Sequence, residues 1–378
     1  MSKEKYIFLF AFYFSIVLSK PLSVLFVTNK FPYEPRQYID NQITGFIDAG
    51  IDVTILADRE SLYTNYPLAQ KYKFKDITFY KELPKNKRSF DIIYCQFPDM
   101  AKKMLIKRKN KLISGVVVGC FRAGCEFDLI QNNIDAYKQF FQEIDLILVV
   151  CNAFKKRLIA YGCPKEKILV HHSAIDVERF EFHERRLLPS EPIKIISIGR
   201  LHRMKGYNFT IEAIKKVKEL YPNIQYNIYG MGSEYELLKN MIEQYNLQET
   251  VFLKGYCEHD RVPSVLCNHH IFILGSYTTE TGSGEGIPNA FMEAMATGMP
   301  VIGTKHSGIP ELLENGVTGF VAQEQDANDF SKKLVALIEA QELWPLFGKN
   351  GRDKVLKEHN KLIQNKKLKK LFETIKKQ

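Results

Sequence analysis

The chain contains no Cys-x-x-Cys. Its seven cysteines, at 95, 120, 125, 151, 163, 257 and 267, are scattered and odd in number. That excludes a disulfide framework and fits reduced thiols in a cytosolic protein. The tightest pair, Cys120 and Cys125, reads as incidental packing rather than a metal site. Zinc-finger spacing and the aromatic-basic signature of an RNA-binding sheet are both missing, so no nucleic-acid partner is expected. No Asp-x-Asp stands at a plausible site, and no metal and no cofactor are expected. Gly230-Met-Gly232 lacks the third glycine of a dinucleotide fingerprint, because Tyr235 occupies its place; this argues against a dehydrogenase. There is no internal repeat and no low-complexity stretch. The apolar run Tyr6 to Leu18 is too short to span a bilayer as a helix.

That run follows Lys3 and Lys5 and has the length of a signal-peptide core, but Leu18-Ser-Lys-Pro21 is a poor cleavage site. A membrane-surface anchor is the favoured reading, with an added segment or a cleaved signal as alternatives. With 378 residues, 45% hydrophobic and 25% charged, two globular domains are expected. The net charge of +10 suits phosphorylated substrates or an anionic membrane surface.

Leu22 to Val27 reads as a buried strand, Gln42 to Ala49 as an amphipathic helix closed by Gly50, and Ile51 to Leu56 as the next strand. Strand–helix–strand at this spacing implies a parallel α/β unit. Further strands are expected at 91–94, 115–119, 146–150 and 168–170. The charged stretch Phe182 to Pro192, with prolines at 189 and 192, is the expected linker. A second α/β series then follows, with strands at 193–198, 224–229, 251–254, 271–274 and 300–302 and a helix over 208–220. The expected organisation is an apolar N-terminal segment (1–20), a first domain (21–185), a second domain (190–353) and a basic amphipathic C-terminal helix (354–378). In such sheets ligands bind beyond the carboxyl ends of the strands.

Two segments carry chemistry. In Glu285-Gly-Ile287-Pro-Asn289-Ala290-Phe-Met-Glu293, two carboxylates are separated by seven residues. Pro288 suits a first helical turn, and Asn289 and Ala290 would then present free N–H groups to an anion. The Gly199-Arg200-Leu-His-Arg-Met-Lys205-Gly206 segment places two cations just after a strand. Arg suits bidentate phosphate contact, and Lys acts as a point charge. If both glutamates lay on one helix they would be about 80° apart around it and ~12 Å apart along it. That is not the close facing pair of a retaining glycosidase.

Together, Glu285 to Gly298, Met299-Pro-Val-Ile302, Ser307-Gly-Ile-Pro-Glu311, Asn315 to Phe320 and the G-R-x4-K-G segment resemble the retaining GT-B glycosyltransferases of family 4. The resemblance implies an α/β fold of two Rossmann-like domains facing each other across a cleft. It implies that Arg200 and Lys205 bind the diphosphate of a nucleotide sugar. Glu293 would accept hydrogen bonds from the ribose hydroxyls, and Glu285 would orient the donor sugar and take part in catalysis with Arg200 and Lys205. Gly199, Gly230, Ile287, Asn289 and Ala290 would line the donor site. Tyr256 resembles a residue of the loop that meets the base, although an ordinary boundary aromatic fits equally.

The first domain departs from the family pattern. Asn29 to Arg36 replaces a glycine-rich loop, Ala174 stands where glycine is common, and Cys120 to Asp128 replaces a stretch that carries a sugar-contacting histidine. Arg122 and Glu126 are the candidate acceptor or sugar contacts there. Gln37 to Val53 resembles a subgroup that assembles bacterial surface polysaccharides. The resulting expectation is a cytoplasmic enzyme at the inner face of the membrane, moving a hexose from a UDP- or GDP-sugar to a glycan or lipid-linked glycan. A GT-B sugar-nucleotide epimerase and a non-catalytic partner of an assembly complex are the alternatives.

Overall fold

The computed structural model describes residues 20–32, 37–61 and 66–376. The apolar run 6–18 and residues 33–36 of the loop after the first strand lie outside these. Among the described residues, two all-parallel sheets form. The first contains β1 (Ser23–Phe31), β2 (Asp52–Glu60), β3 (Thr78–Tyr80), β4 (Ser89–Cys95), β5 (Ser114–Phe121), β6 (Leu146–Val149) and β7 (Ile168–Val170), ordered 3-2-1-4-5-6-7. The second contains β8 (Ile193–Ile198), β9 (Ile224–Tyr229), β10 (Val251–Gly255), β11 (Ile271–Ile273), β12 (Val301–Thr304) and β13 (Gly319–Ala322), ordered 10-9-8-11-12-13. Strand order reverses beside β1 and again beside β8, and in doubly wound sheets the ligand crevice opens at such points.

The central strands are rich in apolar residues because helices cover both faces of each sheet. In β11, for example, Ile271, Phe272 and Ile273 are each fully buried. The stretch 182–192 is irregular, yet it is anchored to the second half. Arg185 is buried and donates to the carbonyls of His183, Leu266 and His269 and to Thr297 Oγ1.

The expected single C-terminal helix from 354 is instead the end of one helix, Trp344–Glu358, and a second one, Lys361–Ile375. The break falls at Asn360, whose side chain accepts the Leu362 N–H and so starts a new helix. The apolar face of this last helix returns to the first domain. Leu368 and Phe372 are fully buried there, with Phe372 edge-on to Phe46 and Tyr94 at 5.8 and 5.2 Å. Among the described residues, no helix is long and apolar enough to cross a membrane.

Candidate active site

β8 ends at Ile198, and the chain turns through a short 3-10 element, Arg203–Lys205, before the Tyr207–Leu220 helix. The turn needs Gly206, which has φ +65° and lies so close to Gly275 that a Cβ would sit 1.9 Å from its carbonyl oxygen. This contact seats the loop after β8 on the loop after β11. Lys205 is thereby folded back into the crevice, where its Nζ lies 3.1 Å from Glu285 Oε1, with the two side chains 11% and 15% exposed. Arg200 is exposed on the same wall and has no carboxylate partner among the described residues.

The loop after β11 runs through the glycines at 282, 284 and 286 to the Asn289–Ala296 helix. Pro288 is not in the first turn. It is the N-cap, with ψ at 127°, and offers no side-chain cap. The first turn therefore opens at Asn289, and Asn289 and Ala290, whose helix-end N–H groups have no intrahelical partner, line the cleft. Just over one turn further, Glu293 is 8% exposed, and its carboxylate has no hydrogen-bond donor among the described residues. Burial pushes its pKa up to about 7, against the pull of Arg179 and Lys205.

These groups meet in one cleft of about 400 Å³. Gly199, Arg200, Lys205, Glu285, Ile287, Asn289, Ala290 and Glu293 all line it, and Tyr38, Asn41, Ala174, Ile175 and Asp176 form the facing wall. Arg179 and His259 close one end. Arg179 is tied to Asp260 Oδ1 at 2.7 Å. Burial and the Arg179 charge lower the His259 pKa to about 4, which leaves a neutral imidazole at pH 7.

The two domains touch beside the cleft. Gly124 N–H donates to Gly284 O at 2.9 Å, and a Cβ on Gly124 would lie 2.3 Å from the Gly284 backbone. Arg157 Nη1 donates to Gly282 O at 2.8 Å. Glu311, from the second domain, accepts the backbone N–H groups of Asn152 and Ala153 and the Asn152 side-chain amide. It therefore caps the first domain's Asn152–Ala160 helix.

Four sequence candidates sit elsewhere. Gly230 lies under the wall, where a Cβ would be 1.9 Å from Gly199 O, so it permits packing and does not line the cleft. Tyr256 is 62% exposed and outside the cleft lining. Arg122 borders a narrow side cavity that shares Tyr38, Asn41 and Ala174 with the cleft. Its Nη2 donates to Gln42 Oε1 at 3.1 Å and Tyr94 Oη at 2.9 Å. Glu126 lines neither cavity. Its carboxylate accepts the N–H groups of Arg122 and Ala123, so it shapes the loop behind Arg122 rather than facing a sugar. Burial raises the Glu126 pKa to about 8, which keeps it protonated at neutral pH. Conversely, sequence reasoning missed Tyr38, Asn41, Arg179, His259 and His306. His306 had a local signal, since it directly precedes the Ser307–Glu311 segment, and Tyr38 and Asn41 lie within the singled-out stretch Gln37 to Val53.

Comparison with known proteins is consistent with this arrangement. Residues 178–354 match the family described as Glycosyl transferases group 1. WcaL of Escherichia coli K12, named as a colanic acid biosynthesis glycosyltransferase, is 31% identical over 94% of this chain and 100% of its own. AmsK of Erwinia amylovora, an amylovoran biosynthesis glycosyltransferase, is 31% identical over 85% of this chain and 91% of its own. Among solved structures, HepE of Anabaena in complex with UDP and glucose superposes with a TM-score of 0.76 at 16% identity, covering 93% of this chain and 100% of HepE. Sucrose-phosphate synthase of Thermosynechococcus elongatus superposes at 0.74 with 15% identity, covering 94% and 99%. At such identities these two share the fold, which is GT-B.

Proposed function

Because the chain belongs to the group 1 glycosyl transferases, we propose that it moves a hexose from a UDP- or GDP-sugar to a hydroxyl of a growing, lipid-linked glycan during assembly of a bacterial surface polysaccharide. The names of WcaL and AmsK, for colanic acid and amylovoran, support the pathway class. The UDP and glucose bound to HepE support the donor class. The single observation that carries the reading is the convergence of the Lys205–Glu285 pair, Arg200, the open N–H groups of Asn289 and Ala290, and Glu293 in one cleft.

In this reading the diphosphate lies against Arg200, Lys205 and the helix N-terminus. These are fixed charges and dipoles that stabilise negative charge as the sugar–phosphate bond breaks. They need no metal ion and no cofactor for that. Glu293 offers two acceptor oxygens to the ribose diol. Glu285 orients the sugar and faces the oxocarbenium-like carbon. The acceptor hydroxyl enters along the Tyr38–Asn41 wall on the same face as the departing phosphate. A phosphate oxygen takes the hydroxyl proton, the acceptor oxygen bonds to the anomeric carbon, and configuration is retained. The excess of basic residues, +10 overall, favours work at an anionic inner membrane face.

Calorimetric titration with UDP and GDP, with and without EDTA, tests the donor site. One nucleotide should bind tightly and indifferently to EDTA, and Arg200→Ala and Glu293→Ala should each weaken binding at least tenfold, the scale of one charge-assisted hydrogen bond. Failure of the folded protein to bind either nucleotide would overturn the UDP/GDP assignment.

A further inference from the structure

His306 has no place in the chemistry above, yet it is one of the most enclosed polar groups beside the cleft. It follows β12, is 2% exposed, and its Nε2 lies 2.8 Å from the backbone nitrogen of Glu285. An N–H can only donate, so Nε2 must be an acceptor and carry no proton. Its other nitrogen, Nδ1, lies 3.2 Å from Glu324 Oε1 and 3.3 Å from Thr278 Oγ1. A carboxylate only accepts, so the Nδ1 proton belongs there, and Glu324 selects the tautomer. The second Glu324 oxygen accepts the Thr278 N–H at 2.7 Å.

Thr278 and Glu285 bracket the glycine-rich loop. One hydrogen-bonded relay, from Thr278 through Glu324 and the buried His306 to Glu285, therefore fastens both ends of that loop to the segments after β12 and β13. Gly284 makes the contact possible, because a Cβ there would lie 2.5 Å from His306 Cε1 and 2.7 Å from its Nε2. The Glu285 carboxylate itself has a single partner among the described residues, Lys205. Its direction is thus set by that one ion pair and by how its own backbone is held.

We propose that His306 is a positioning residue for Glu285, its neutral, Nδ1-protonated imidazole holding the Glu285 backbone so that the carboxylate meets Lys205 and the donor sugar. This inference rests on the glycosyltransferase reading of Glu285. A proton on Nε2 would set N–H against the Glu285 N–H and release the loop. Small displacements of a reacting group cost about a hundredfold in rate, so the effect falls on turnover and not on nucleotide affinity, which the Arg200 and Lys205 side supplies.

Two variants separate positioning from simple packing. His306→Gln keeps an acceptor near the Nε2 position, whereas His306→Asn keeps only a donor near Nδ1. The assay is release of nucleotide from whichever UDP- or GDP-sugar the wild-type protein turns over. His306→Asn should lower kcat ten- to a hundredfold, and His306→Gln should recover most of it. The affinity for UDP or GDP should stay unchanged in both. In parallel, ¹⁵N-histidine spectra of the wild-type protein at pH 7.5, with the His306 signals identified by their loss in His306→Gln, should show a protonated Nδ1 and a bare Nε2. Equal turnover in the two variants, a better Asn than Gln variant, or a protonated Nε2 would overturn the proposal. If the wild-type protein turns over no sugar nucleotide, the functional reading fails, and the spectra alone still decide the state of His306.

Discussion

Glu293 should make the free enzyme less stable, and the amount can be worked from its surroundings. Its carboxyl group is 8% exposed and receives no hydrogen bond among the described residues, and burial raises its pKa from 4.5 to about 7. Below pH 4.5 the group is protonated in both the folded and unfolded chain, so it contributes no penalty. Between 4.5 and 7 the unfolded chain releases the proton while the folded one keeps it, so folding stability falls as pH rises. Above 7 the full penalty persists, about 3 kcal/mol at ~1.4 kcal/mol per pH unit. Glu293→Gln, an isosteric and always neutral change, should therefore stabilise the protein by about 3 kcal/mol at pH 8 and by almost nothing at pH 4.5. Urea unfolding at the two pH values measures this directly. The same variant should bind the nucleotide at least tenfold more weakly, because charge-assisted hydrogen bonds to the ribose are lost. Wild-type affinity should rise as pH increases towards 7, with a proton released on binding, since the ribose hydroxyls favour the ionised carboxylate. A stability gain that is absent at pH 8, or equal at pH 8 and 4.5, would refute the reasoning.

Phe372→Ala should cost about 3–5 kcal/mol, because Phe372 is fully buried against Phe46 and Tyr94; chemical denaturation followed by circular dichroism checks it. Glu311→Ala removes the cap of the Asn152–Ala160 helix and should cost about 0.5–2 kcal/mol in a thermal melt. It should also lower donor turnover while leaving nucleotide affinity intact, since the contact joins the two domains and does not touch the donor wall.

The strands were legible where an unbroken apolar run left one choice. Ile193–Ile198 and Ile224–Tyr229 fall at the expected residues. β3, with only Thr78-Phe-Tyr80, and β13, opened by Gly319, were not, because a short edge strand carries too few side chains to set a period. The first helix starts at Gln37 rather than Gln42; its opening turn holds Tyr38 and Asn41, polar and aromatic residues that face the cleft and so hide the apolar stripe. On the donor wall, the site was readable because chain-local segments carry it. Arg200 and Lys205 come from one loop, and Glu285, Asn289 and Glu293 from another. Arg179 and His259 meet only through folding, 80 residues apart in the chain, so no spacing announces them. Glu126 misled because a carboxylate beside a candidate cation looks like a ligand. Its burial and its two backbone donors, visible only in three dimensions, make it part of the loop's framework.

The return of the last helix to the first domain has a kinematic consequence. The chain passes between the two halves twice, once after Ile175 and once before Lys361, and these passages lie side by side. Ile175 N–H donates to His359 O and its own carbonyl accepts from Lys361 N–H, while His359 Nδ1 donates to Ser173 O. Two straps fastened to each other resist sliding and twisting but leave one rotation about the line they share. A rotation about that line would swing the halves like the covers of a book, with the cleft as the opening edge. Such a swing would have to break or remake the Gly124–Gly284, Arg157–Gly282 and Glu311–Asn152 contacts, which would couple substrate entry to a small and identifiable set of hydrogen bonds.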